Sequence, residues 1–271
     1  MRPGILIGLC ALALQTAICA RAELEPKAVA VEPGVVMPGQ PITLRWYFTG
    51  NKVVVSGGRF GKGTVVTGKT QITDRPEKTT RYAFDVWYNP PPDPAKPEVK
   101  PAQVHVQYTA VAAVDKLTSF HGPEGFDVRL IKGWRTDSFS PEPGSKVYFF
   151  QEEEDSVERV AVAVVPIKEG ETVATVMEKV RGDVPSHYTK VEFVSLYDMP
   201  RKQDQAQITH FKGIDSTHPN TRTESIVVVY IHGNKAYVAS GRTYADKFAE
   251  RGPLLDGLVR SLSFSGAIAS K

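Results

Sequence analysis

The sequence predicts an all-β sandwich followed by an α+β module, an antiparallel sheet flanked by helices, behind an N-terminal export segment. Three observations lead there. Short runs with period-two alternation fill residues 23–114 with no helical periodicity. Beyond residue 120, strand-like runs are interrupted by two apolar stripes of helical spacing. The first 22 residues run from Arg2 through an almost uncharged apolar stretch to Ala20-Arg21-Ala22, the order of a secretory signal peptide with a small-x-small cleavage site.

That apolar stretch is short for a membrane span, which takes roughly 20 apolar residues. No later stretch approaches that length, so the expectation is an exported protein, periplasmic or secreted, with no transmembrane segment after cleavage. Cys10 and Cys19 both lie in the leader. A mature chain without cysteine excludes disulfides, zinc thiolates and a catalytic thiol. Loss of Arg2 and Arg21 leaves 31 basic against 30 acidic side chains. Such balance, with no basic cluster, argues against a nucleic-acid partner.

In residues 23–114 the clearest strand is Ile42-Thr43-Leu44-Arg45-Trp46-Tyr47-Phe48. Runs at Val53–Val55, Thr64–Val66, Tyr82–Tyr88 and Val104–Tyr108 follow, punctuated by glycine turns. The pattern Pro38-Gly39 … Leu44-Arg45-Trp46, then Gly50-Asn51, then Pro76-Glu77-Lys78-Thr79-Thr80-Arg81-Tyr82 resembles a bacterial immunoglobulin-like module. The resemblance implies a β-sandwich with a tyrosine corner, in which Tyr82 bonds back to backbone. One departure is the proline-rich stretch 89–101, which favours extended polyproline conformation. Trp87, Tyr88, Pro90, Pro91 and Pro92 border or begin it. Alternation turns at least one of the two aromatics outward, so these five residues form a candidate contact patch.

Residues 115–119 read as a linker, residues 120–265 as the second module and residues 266–271 as a tail. Strands are expected at Phe126–Ile131, Val147–Gln151, Arg159–Val165, Lys190–Tyr197, Gln205–Phe211, Glu224–His232 and Ala236–Arg242. One helix is expected over Glu171–Arg181 with Gly182 as its stop, and another over Pro253–Leu262 with Pro253 in its first turn. Gly122-Pro123-Glu124-Gly125-Phe126, Gly133-Trp134, Gly233-Asn234-Lys235-Ala236-Tyr237 and the ending Val259–Phe264 resemble the PsbP-like fold. That family includes an extrinsic photosystem subunit and small bacterial envelope proteins, so the resemblance implies a mostly non-catalytic role. Trp46 and Trp134 are expected to fill the two cores.

No chemistry-bearing pattern has its required context. Gly63–Thr70 spells a phosphate-loop motif, but strand-like residues precede it and Gln71–Pro76 is a poor helix start. The six histidines, at 105, 121, 187, 210, 218 and 232, show no metal-ligand spacing. The acidic run Glu152–Asp155 lacks the donor spacing of a calcium loop and reads as a hairpin tip. No catalytic residue, metal or cofactor is assigned. The expected function is a non-catalytic envelope protein that binds or helps assemble a protein partner. The alternative is a carrier holding a small apolar ligand or lipid in a gap of the second module.

Overall fold

The computed structural model describes residues 28–90, 94, 102–200 and 205–264. The expected export segment, Pro91, Pro92 and the expected tail lie outside them. Among the described residues the N-terminal module has eight strands: β1 (Val29–Glu32), β2 (Val35–Val36), β3 (Ile42–Trp46), β4 (Lys52–Ser56), β5 (Thr64–Val65), β6 (Gln71–Asp74), β7 (Thr80–Tyr88) and β8 (Val104–Val114). They pair as two sheets, β1-β3-β6 and β2-β8-β7-β4-β5, with β2 parallel to β8. Alternation decides the packing. Ile42, Leu44 and Trp46 of β3 meet Val53 and Val55 of β4 and Tyr82, Phe84 and Val86 of β7 in one buried core. Each such apolar side chain contributes about 1.5–3 kcal/mol on burial. The module is therefore a two-sheet sandwich.

Tyr82 departs from the expected tyrosine corner. Its hydroxyl donates to Asp74 Oδ2 at 2.6 Å rather than to backbone. Burial, and then this hydrogen bond to a carboxylate, push its pKa well above the ordinary tyrosine value. Asp74 also accepts from the backbone N–H groups of Arg59 and Arg75. Gly58 makes room for the pair, because a Cβ there would stand 2.2 Å from Asp74 Oδ2. The phosphate-loop spelling is strand and turn. Thr64–Val65 is β5, and β6, not a helix, follows Lys69.

The second module runs β9 (Leu117–Gly122), β10 (Phe126–Ile131), β11 (Arg135–Phe139), β12 (Lys146–Gln151), β13 (Arg159–Pro166), α1 (Val173–His187), β14 (Tyr188–Pro200), β15 (Gln205–Asp215), β16 (Arg222–His232), β17 (Lys235–Tyr244), α2 (Phe248–Arg260) and β18 (Ser263–Phe264). Strands β11-β12-β13-β17-β16-β15-β14 make one antiparallel sheet in that order. One face carries α2 and the small sheet β18-β10-β9. Phe126, Val128, Leu130, Tyr148, Phe150, Val228, Tyr230, Leu255 and Leu258 interlock between them. The other face carries α1, through Val173, Val176, Met177 and Val184. Tyr148 donates to the Glu124 carboxylate (2.7 Å) and Tyr237 to the Glu124 carbonyl (2.9 Å), which ties the β9–β10 turn to the large sheet.

Several boundaries differ from the sequence expectation. Helix α1 passes Gly182 and ends at His187, because Val184 continues the apolar stripe and buries against Phe211 and Val227. Burial there outweighs glycine's propensity penalty of about 1 kcal/mol. Its start is capped by Thr172, whose side chain accepts from Thr175 N–H while Thr175 Oγ1 accepts from Thr172 N–H. Helix α2 starts at Phe248, so Pro253 is interior. Two distant contacts hold the earlier turn: Phe248 stacks on His210 at 4.8 Å, and Arg251 pairs with Glu158. Trp134 is only partly buried against the edge of the larger core, whereas Trp46 is fully buried in its own.

The expected linker shrinks to Asp115–Lys116, since Leu117, Thr118 and Ser119 pair in β9 with Ile131, Leu130 and Arg129. The two modules share a packed seam. Val35 and Ala113 belong to the core of the second module, and Arg129 Nη1 donates to the Val35 carbonyl at 3.0 Å. At Gly257 of α2 a Cβ would come within 2.7 Å of Val35 Cβ and 3.0 Å of the Gly34–Val35 backbone. Gly257→Leu is expected to destabilise the protein by about 1–3 kcal/mol through overpacking of this seam, read as a lower midpoint in urea unfolding. An unchanged midpoint would mean that the seam yields freely.

Candidate contact surface

The outer face of the five-stranded sheet holds an ordered polar and aromatic row. Register places Lys52 of β4 opposite Trp87 of β7, and Trp87 opposite His105 of β8. Residues directly opposite in antiparallel strands share a face. The Trp87 and His105 rings stack at 4.6 Å with planes 13° apart, and Lys52 Nζ lies 5.0 Å from the Trp87 ring centre. Asp85 fixes the histidine: its Oδ1 is 2.9 Å from His105 Nε2 and also accepts from Gln107 Nε2 at 3.0 Å. A cation on an indole face contributes about 0.5–1 kcal/mol at an exposed site. The row is thus a pre-ordered platform of cation, flat aromatic surface and anchored imidazole.

Of the patch expected from sequence, Trp87 takes this outward position. Tyr88, its neighbour, points to the opposite side of the strand and is 37% exposed beyond the core. Pro90 is half-buried at the end of β7. The sequence pattern did not mark Lys52, Asp85 or Gln107, and it raised His105 only as a metal-ligand candidate. Their one signal was position within alternating strands, which becomes useful only with the register known.

Between α2 and the large sheet, where a carrier needs its gap, Tyr148, Phe150, Val228, Tyr230, Leu255 and Leu258 pack in one core. An open cleft of about 310 Å³ lies instead at the module seam, lined by Pro33, Ser119, Arg129, Arg260 and Ser263. Among the described residues no three His, Cys, Asp or Glu side chains gather as a metal site requires. No helix among them is long and apolar enough to cross a membrane.

Fold and surface together define a two-module protein: a β-sandwich packed onto an antiparallel sheet flanked by helices, with a surface row in which half-buried Trp87 lies between exposed Lys52 and His105. No family model and no curated protein matches the chain. Among solved structures it is similar to PsbP (CyanoP) of Synechocystis sp. PCC 6803, at 13% identity and a TM-score of 0.43, over 56% of this chain and 94% of the other. It is also similar to the Ran-binding protein Mog1p of Saccharomyces cerevisiae, at 10% identity and a TM-score of 0.39, over 55% of this chain and 95% of that one. At these TM-scores the likenesses are of general shape and carry no functional weight.

Proposed function

We propose that the protein is exported and serves the bacterial envelope as a non-catalytic binding or assembly-accessory protein, with an immunoglobulin-like module followed by a PsbP-like one. The Lys52–Trp87–His105 row carries this reading. A tryptophan held rigid on a sheet by Lys52 and His105 loses little entropy on contact, and tryptophan is enriched where proteins bind proteins. The seam supports it too, because a surface fixed on a stiff two-module body can be presented at a set distance from the second module. The leader at residues 1–22 supports export.

Native mass spectrometry of the mature protein, purified gently from its own source, tests export and the protein partner together. The expected spectrum shows a chain lacking residues 1–22 and carrying extra mass of protein size. Trp87→Ala is expected to lose that extra mass while keeping its fold. A chain that retains the leader would remove export, and a bare wild-type chain would remove the assembly role. Retention of a few hundred daltons instead would favour the small-ligand carrier.

A further inference from the structure

On the α1 side of the large sheet, register lines up four polar residues on adjacent strands. Gln151 of β12 is opposite Arg159 of β13, Arg159 is opposite Arg242 of β17, and Arg242 is opposite Ser225 of β16. Directly opposite residues project to one face, with Cβ atoms about 5 Å apart. Three of the four hold a buried polar atom with no hydrogen-bond partner among the described residues: Gln151 Oε1, Arg242 Nη2 and Ser225 Oγ. Buried polar groups are nearly always satisfied in folded proteins, so three in one row mark a place prepared for something polar.

The charges say which sign. Arg242 is 3% exposed and pairs through Nη1 with Asp215, with the Tyr188 hydroxyl 3.3 Å from the same nitrogen and the Val157 carbonyl accepting from Nε. That leaves Nη2 as its unused donor. Arg159 has no carboxylate within 4 Å among the described residues and lies over the Phe149 ring at 4.8 Å. Burial, and then the charge of Arg242, lower its pKa. Asp215 is the carboxylate paired directly with these two guanidiniums, Asp155 acts on Arg159 from beyond 4 Å, and Arg242 Nη2 is left as a cationic donor without a partner among the described residues. Beside Arg159, Phe149 stacks with exposed Phe139 at 5.8 Å, an apolar shelf on the same face.

We propose that this row binds a small oxyanion, the carboxylate or phosphate group of a free small molecule. Arg159 and Arg242 Nη2 donate to the anion, Gln151 Oε1 accepts from a hydroxyl of the same molecule, and the Phe139–Phe149 shelf takes its less polar part. Planar guanidinium donors suit both oxyanions. The site is on the opposite module from the Trp87 row and stands or falls independently of the assembly role.

The test is isothermal titration of the mature wild-type chain with citrate, glycerol phosphate and chloride at constant ionic strength. A saturable one-to-one heat is expected with citrate or glycerol phosphate and none with chloride. Citrate alone would identify the carboxylate, and glycerol phosphate alone the phosphate. Arg159→Gln, which leaves the Arg242–Asp215 pair in place, is expected to weaken binding at least about tenfold. Lys62→Gln, on an exposed turn of the other module, is expected to leave it unchanged. Should Arg159→Gln fail to fold, Arg159→Lys keeps the charge without the planar fork and is expected to bind several-fold more weakly. The proposal is overturned by absence of saturable binding to either oxyanion, or by equal affinity in a folded Arg159 variant.

Discussion

Replacing Arg242 by methionine is expected to destabilise the protein by about 3–5 kcal/mol, because it strands a buried carboxylate. Asp215 is 5% exposed; after the substitution its donors among the described residues would be the N–H and hydroxyl of Thr217, with His218 Nδ1 3.9 Å away. The arginine also ties Val157 and Tyr188 to the strand, so local order at the start of β13 goes with it. For a chain of this size the loss corresponds to a fall in Tm of about 6–20 °C. Thermal unfolding followed by circular dichroism reads it directly. The double variant Arg242→Met with Asp215→Asn is expected to recover more than half of the loss, since neither charge is then left alone. A single-variant loss below about 1 kcal/mol would mean that water reaches Asp215 freely.

The second large effect belongs to the sandwich. Trp46→Ala is expected to remove about 3–5 kcal/mol, the usual range for deleting a large buried aromatic side chain. Trp46 is fully buried, 5.3 Å from the Phe84 ring and 6.4 Å from Phe48, which in turn stacks on Tyr108 at 4.7 Å. The expected signature is an early unfolding transition from the N-terminal module, ahead of the main one from the second module. A loss of less than 1 kcal/mol would show that the sandwich does not depend on this ring.

What the sequence made legible followed from local pattern. Ile42, Leu44 and Trp46 alternate with polar neighbours, and they bury as alternation requires. Phe126–Ile131 is the strand its pattern implied, to the residue. The order of strands, helix, four strands and helix in the second module was readable from where period two gives way to helical stripes. The ends of both helices were not. Gly182 and Pro253 are local stop and start signals, and Val184, Phe248 and Arg251 overrule them through partners tens of residues away.

The same division holds for the surfaces. The sequence by itself determined that Trp87 would sit in an alternating strand beside a proline-rich stretch, because side-chain direction in a strand depends only on parity. That Lys52 and His105 flank it was decided by register, which depends on how three strands separated by long loops settle against one buried face. Gln151, Arg159, Arg242 and Ser225 carry no common motif and span 92 residues of chain. Only the tertiary structure makes them neighbours, since hydrogen-bonded pairing across four strands, with both faces of the sheet covered, admits one alignment that keeps the apolar side chains inside.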